Sequence, residues 1–351
     1  MSDVFDDKRI LLVGGPGGVG KTTLAAALGV QLAERGFRTV VLTVDPARRL
    51  AQALGFTKFE QDLQEVPLPG AKGKLSASML DTQRYLDRVV ERFAARPEQR
   101  EKILNNPLYK IMVESLGGTA EYAAMERLLE FVERPEFEKI IVDTPPSQNA
   151  LDLLTAPQRM AEFMDNKVLR WFQGSSPRYM SFFKQGTKIV MKMLQRIFGA
   201  EFLSSLGQLL DDFEGMQSGF RNRHLEVLRL LKSRETAFFL VTTASEGRFE
   251  EAMDFAATLK QQDIPLAGLW VNQLEPAVPA AVPVEIEIDA KSREHVNALL
   301  RYHHAIYVAE LLWVERFGAD LLTLPRRLIP RQTESPQDVA ALSRLSGFLV
   351  S

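Results

Sequence analysis

The chain contains no cysteine. Disulfides, thiolate metal sites and cysteine nucleophiles are therefore all excluded. Its four histidines, His224, His295, His303 and His304, are too few and too scattered for a metal constellation. An excess of one charge is lacking too: 43 Lys plus Arg against 45 Asp plus Glu leave a net −2 over 351 residues. So nearly neutral a chain has no global field to draw in nucleic acid, and none is expected as a partner. No stretch approaches ~18 uninterrupted apolar residues, so no membrane span is expected. The segment from Met1 to Arg9 is acidic and short and does not read as a signal peptide, which makes the cytoplasm the default address. There is no internal repeat and no long low-complexity tract.

What is present is a balance of 46% hydrophobic and 25% charged residues, enough to bury a real core. The N-terminal third alternates strand-like and helix-like patterns. Ile10 to Val13 is a short apolar run followed by glycines, and Lys21 to Arg35 places Leu24, Leu28 and Leu32 at helical spacing, ending at Gly36. Thr39 to Val44 is nearly continuously apolar, as a buried parallel strand should be. This compact succession needs a crossover connection and predicts an α/β fold with a mainly parallel sheet flanked by helices. Further strands are expected at Leu75–Ser78, Lys139–Val142, Ala237–Thr242, Leu266–Val271 and Leu321–Leu324, with helices at Phe249–Gln262 and Pro336–Leu349. We expect a single domain over 1–351, with a helical subdomain made by insertions at about 81–134 and 157–231. The Glu275 to Pro283 stretch reads as a surface loop.

Gly15-Pro16-Gly17-Gly18-Val19-Gly20-Lys21-Thr22 matches G-x-x-x-x-G-K-[ST] between a strand and a helix, where that motif must sit. Its glycines let backbone N–H groups turn inward around phosphate oxygens, and the helix N-terminus adds its positive end. Gly17, Gly18, Val19 and Gly20 would cradle the phosphates, Lys21 would neutralise the β- and γ-phosphates, and the Thr22 hydroxyl would ligate Mg²⁺. The alternative is a Gly-rich turn with a chance lysine, which average residue usage makes about a one-in-a-hundred event before the context is counted. Ile140-Ile141-Val142 followed by Asp143 has the form of a strand that brings a carboxylate to the same edge, where it would help hold Mg²⁺. The competing role for Asp143 is to cap the next helix.

These residues carry a resemblance to the arsenite-pump and tail-anchored-protein-targeting ATPases, a branch of the deviant-Walker P-loop proteins. Gly14 to Thr23 resembles the family's phosphate loop, Asp45-Pro46-Ala47 its first switch and Asp143-Thr144-Pro145-Pro146 its second. Val271-Asn272-Gln273 resembles the strand-end segment that reads adenine, and the likeness covers nearly the whole chain. Asn106 to Tyr109 and Ser147 to Asp152 look closest to bacterial members. The resemblance implies a Mg²⁺-dependent ATPase that cycles between ATP and ADP, a dimeric switch acting on a hydrophobic protein client. Asp45 would orient or deprotonate the attacking water, with Lys21 beside it in the catalytic set. Thr22 and Asp143 would organise Mg²⁺, Thr23 would touch the α-phosphate, and Asn272 would bond the adenine edge. Leu324-Pro325-Arg326, after the last strand, would close over the base. Asp45 before Pro46 is also a good helix-start residue, and Asn272 could merely begin a turn.

Two departures matter. The family's signature lysine falls at Pro16, which offers neither charge nor N–H donor. Catalysis would then be slower, or assisted by Arg48, by Arg49 or by a lysine from a paralogous partner, unless both arginines merely form surface ion pairs. The alternative function is a weakly hydrolysing nucleotide-binding scaffold in a heterodimer with a lysine-bearing relative. The absent cysteines also remove the metalloid site and the zinc clamp that the resemblance would bring.

Between Gln158 and Ala200 there are eight Lys/Arg and two Asp/Glu, and Lys184, Lys188, Lys192 and Arg196 fall along one helical stripe. Phe202, Leu206, Leu209, Phe213 and Met216 continue an apolar supply. This helical part is open to three readings: an amphipathic lid with a solvated basic side, a groove for an apolar client, or a peripheral contact with an anionic membrane.

Overall fold

The structure is a computed structural model that describes residues 4–44, 48–57, 62–115, 119–145, 199–213, 216–283, 286–316, 321 and 324–350. The chain forms two compact units. The first comprises residues 1–79, 131–151 and 230–351, and the second 80–130 and 152–229.

The first unit is a three-layer α/β fold. Its sheet contains β1 (Ile10–Gly14), β2 (Arg38–Thr43), β3 (Leu63–Val66), β4 (Lys74–Met79), β5 (Lys139–Asp143), β6 (Thr236–Thr243), β7 (Leu266–Leu274) and β8 (Arg326–Pro330). Their spatial order is β3-β4-β2-β5-β1-β6-β7-β8. Every pairing is parallel except β3 against β4. A parallel sheet covered on both faces demands apolar residues at successive positions. The strand β1 meets that demand, with Ile10, Leu11, Leu12 and Val13 all fully buried. From β1 the chain goes to β2 on one side, whereas β5 is followed by β6 on the other. The carboxyl ends around β1 are thus the topological switch point, where open α/β sheets place their ligands.

Helix α1 (Lys21–Glu34) buries Leu24, Leu28 and Leu32 in a core shared with Val41, Ile141, Phe239 and Trp270. The short α2 (Arg48–Ala53) adds Leu50 and Ala53, and the C-terminal α11 (Val339–Val350) adds Leu342, Leu345 and Leu349. Ser343 on α11 donates to Glu34 at the end of α1 at 2.7 Å. Helix α9 (Glu246–Gln261) connects β6 to β7, and the long α10 (Ala290–Glu315) follows β7, its start capped by Asp289 accepting from Ser292 N–H.

Two strands differ from expectation. β3 was not foreseen, and the last strand is Arg326–Pro330 rather than Leu321–Leu324. Of the apolar Leu321–Leu324 run the described residues are Leu321 and Leu324, and Leu324 N–H is bonded to the Leu321 carbonyl at 3.1 Å. The Arg-rich segment after it pairs instead, Val271 opposite Leu328, because an edge strand tolerates charge and a terminal proline.

The second unit is helical among its described residues. It holds α3 (Thr82–Phe93), α4 (Pro97–Asn105), α5 (Pro107–Ser115), α7 (Ala200–Phe213) and most of α6 (Thr119–Glu133) and of α8 (Gln217–Leu231). Leu86, Ile103, Tyr109, Tyr122, Leu209, Phe213 and Met216 share one core. Leu209, Phe213 and Met216, part of the expected apolar supply, are therefore consumed inside this unit, whereas Phe202 is 39% exposed. Beside that core Arg223 pairs with Glu126 at 3.1 Å, and the Tyr122 hydroxyl donates to the same carboxylate at 2.9 Å. Burial and the adjacent Glu126 carboxylate push the Tyr122 phenol well above its ordinary pKa. The stripe Lys184, Lys188, Lys192 and Arg196 lies outside the described residues.

Candidate functional site

The loop between β1 and α1 is shaped by two glycines in backbone conformations that side-chain-bearing residues rarely adopt. Gly15 has φ +146, and a Cβ there would run into the Val241 carbonyl of β6. Gly20 has φ +91 at the N-cap of α1, and a Cβ there would meet the Asn272 amide. Both conformations are open to glycine and strained for side-chain-bearing residues. Gly18 points where a Cβ would have nothing within 4 Å, toward open space. The N-cap of α1 is Gly20, which has no side chain to cap the helix start, and a helix N-terminus of this kind suits an anion.

Lys21 is 7% exposed, and its Nζ donates to the Pro16 carbonyl at 2.9 Å. The Thr22 hydroxyl donates to Asp143 Oδ2 at 2.7 Å, and the Thr43 hydroxyl donates to the same oxygen at 2.9 Å. Asp143 is fully buried at the end of β5, one strand from the loop. One carboxylate thus joins α1, β2 and β5. Thr144 next to it donates its hydroxyl proton to Val13 of β1 at 3.0 Å.

On the other side, Asn272 Nδ2 donates to the Val19 carbonyl at 2.8 Å, and Gln273 Nε2 reaches the Gly18 carbonyl at 3.4 Å. The end of β7 thereby clasps the loop. That strand end is itself anchored at Glu275, which is 7% exposed and lies in the stretch expected to be surface loop. His303 Nδ1 of α10 lies 2.6 Å from its carboxylate and Arg331 at 3.6 Å, while Glu275 N–H donates to Glu310 at 2.6 Å. Burial raises the Glu310 pKa above the ordinary carboxylate range.

A cavity of about 660 Å³ opens against this loop. Its lining includes Gly18, Gly20, Lys21, Thr22 and Thr23, then Arg49 and Gln52 of α2, Phe56, and Ser335 to Gln337. A volume of this size suits a nucleotide. The structure thus brings together Gly18, Gly20, Lys21, Thr22 and Thr23 in one cavity and ties Thr22 to Asp143. Gly17 and Val19 belong to the same loop, with Val19 buried and held through its carbonyl by Asn272. Pro325 is not part of this arrangement. It precedes β8 rather than following it, its carbonyl accepts from Leu269 N–H at 3.0 Å, and it stands at the strand's opening end. The segment that does approach the loop after the last strand is 335–337, which the sequence reading missed because it placed that strand too early. Asp45 and the Arg48 side chain lie outside the described residues.

The glycine-shaped loop leading into the helix start at Gly20, the buried lysine and the carboxylate at the switch point together define a P-loop nucleotide-binding fold. Residues 8–312 match the model of the family described as anion-transporting ATPase, and the chain belongs to that family. It is 26% identical to the ATPase GET3B of Arabidopsis thaliana over 77% of this chain and 65% of that protein. It is 32% identical to the ATPase get3 of Schizosaccharomyces pombe over 75% of this chain and 73% of that one. It is also 23% identical to the putative arsenical pump-driving ATPase 2 of Aquifex aeolicus, over 77% of this chain and 82% of that protein. The chain thus spans slightly less than two thirds of the Arabidopsis relative's length.

Proposed function

We propose that this chain is a Mg²⁺-dependent ATP-binding and ATP-hydrolysing switch that works as a dimer in the cytoplasm. In this reading nucleotide state governs the binding of a protein client or partner. The observation that carries it is the 2.7 Å hydrogen bond from Thr22, which lines the cavity, to the buried carboxylate of Asp143. A hydroxyl and a carboxylate are hard oxygen donors, the chemistry Mg²⁺ takes when substrate phosphates supply its other ligands. Among the described residues no group of three His, Cys, Asp or Glu offers an all-protein metal cage. Bound there, Mg²⁺ would neutralise charge developing on the transferred phosphoryl group.

The chain's own residues supply the rest. Main-chain N–H groups of the loop and the start of α1 hold the phosphates, and Lys21 exchanges its Pro16 carbonyl for phosphate oxygens when the nucleotide enters. Asp45 aligns the attacking water and accepts its proton. Asn272 and Gln273 hold the loop in its phosphate-cradling form. The partner is a second copy or a related ATPase, and the client is apolar. With no cysteine in the chain, a thiolate metalloid site is not part of the reading. Among the described residues no helix is long and apolar enough to cross a membrane.

Phosphate release from Mg-ATP by purified wild type, Asp45→Asn and Lys21→Ala tests the reading. Wild type is expected to turn over, with both variants strongly slowed. Wild type and Asp45→Asn releasing phosphate equally slowly would refute hydrolysis. A second reading, a weakly hydrolysing scaffold paired with a lysine-bearing relative, is favoured by Pro16, whose carbonyl is all that it offers Lys21. Activation by such a relative, with no gain from Pro16→Lys, would select it.

A further inference from the structure

The cavity beside the phosphate loop is lined by two cations, and only one belongs to the loop. Its described lining holds Lys21 and Arg49 and no Asp or Glu. Arg49 stands in the first turn of α2, and Gln52 and Ala53, three and four residues on, line the same cavity. That spacing puts all three on one helix face. Leu50 is fully buried in the core, as is Leu54, 4% exposed, just past the helix end. The core therefore fixes the rotation of α2, and the direction of Arg49 follows from packing rather than from a freely turning surface helix.

The loop alone is short of positive charge. A Mg-bound triphosphate remains anionic, and the loop meets it with Lys21 and a helix end equivalent to about half a charge. Residue 16 adds none, being a proline. A guanidinium presents a planar fork of donors that matches two phosphate oxygens at once, which an ammonium does not.

We propose that Arg49 binds the nucleotide's polyphosphate from the α2 wall of the cavity and supplies the charge that residue 16 lacks. This rests on the nucleotide reading of the cavity and adds to it a binding residue outside the phosphate loop. An arginine serving only a surface ion pair would leave nucleotide affinity untouched.

Mg-ATP titrated calorimetrically into wild type, Arg49→Ala, Arg49→Lys and Lys21→Ala, each at low and high salt, tests the assignment. Arg49→Ala is expected to weaken Mg-ATP about tenfold, the effect of one charge-assisted hydrogen bond. Arg49→Lys should recover part of that loss, since any cation retains the attraction. The salt dependence of binding should be shallower in Arg49→Ala than in wild type, because one screened charge pair is gone. Wild-type affinity and salt slope in Arg49→Ala would overturn the proposal, as would a loss that Arg49→Lys does not recover at all. Wild type bound and Lys21→Ala silent leaves the nucleotide site standing whatever Arg49 does. A wild type that binds no Mg-ATP would overturn both readings together.

Discussion

Asn272 tests how the end of β7 serves the site. The sequence resemblance makes it a reader of the adenine edge, whereas in the structure its amide nitrogen is bonded to the Val19 carbonyl at 2.8 Å in a setting only 8% exposed. A hydrogen bond of this kind contributes about 1 kcal/mol net, and the longer, exposed Gln273 contact to Gly18 contributes less. Asn272→Ala should therefore loosen the loop by about 1 kcal/mol and weaken any nucleotide by about fivefold. Asn272→Asp keeps the shape but sets a carboxylate oxygen against the Val19 carbonyl. It loses the bond and adds repulsion, so its effect should be larger, about 2 kcal/mol or thirtyfold. Affinities for Mg-ATP and Mg-GTP, measured side by side, separate the two roles. A loop clasp predicts the same factor for both nucleotides, because the phosphate tail is common to them. A loss confined to ATP, with GTP unchanged or improved, would refute the clasp and return Asn272 to the base.

Other consequences can be checked separately. Lys21→Ala should abolish tight nucleotide binding, and retained micromolar affinity would remove the lysine from the site. Arg223→Met should cost about 3–5 kcal/mol in denaturant unfolding by stranding the buried Glu126 carboxylate, and adding Glu126→Leu should recover much of it. Glu310 has a folded-state pKa raised by burial, so the folded chain holds an extra proton between the ordinary carboxylate value and the raised one. Its contribution to stability is thus fully present below that window and is lost as pH rises through it. Glu310→Gln should flatten this part of the stability profile, and an unchanged profile would assign the dependence elsewhere.

The parts of the molecule legible in sequence are those where one physical requirement dominates. Ile10 to Val13 and Ile140 to Val142 lie deep in the sheet, where burial on both faces leaves room for little but apolar residues. The phosphate loop was legible because its glycines answer backbone geometry, and Thr22 and Asp143, 121 residues apart, meet because β5 is the neighbour of β1. Edges were not legible. β3 has four residues, of which Val66 alone is fully buried, and β8 opens on two arginines, so neither shows a run. Misplacing β8 also hid residues 335–337, which follow it and line the same cavity as Gly18 and Lys21. Glu275 was hidden for a related reason, since its burial comes from α10 and Arg331, far away in the chain.

The shared acceptor at Asp143 has a consequence for switching. Its Oδ2 takes both the Thr22 hydroxyl at the start of α1 and the Thr43 hydroxyl at the end of β2, two residues before Asp45. Whatever draws Thr22 toward a ligand therefore changes the acceptor on which the end of β2 rests. Two donors on one oxygen cannot be energetically independent. Thr43→Val deletes one hydroxyl with little change of shape in a residue 2% exposed, and should cost about 1.5–3 kcal/mol, the range for a hydrogen bond to a charged group. Thr22→Val should cost a similar amount in the nucleotide-free chain. Their sum should then differ from the double variant by a coupling of about 0.5–3 kcal/mol in urea unfolding. Additivity within about 0.3–0.5 kcal/mol would show that the two hydroxyls do not feel one another through Asp143. The link from the phosphate loop to the end of β2 would then have to run through another contact.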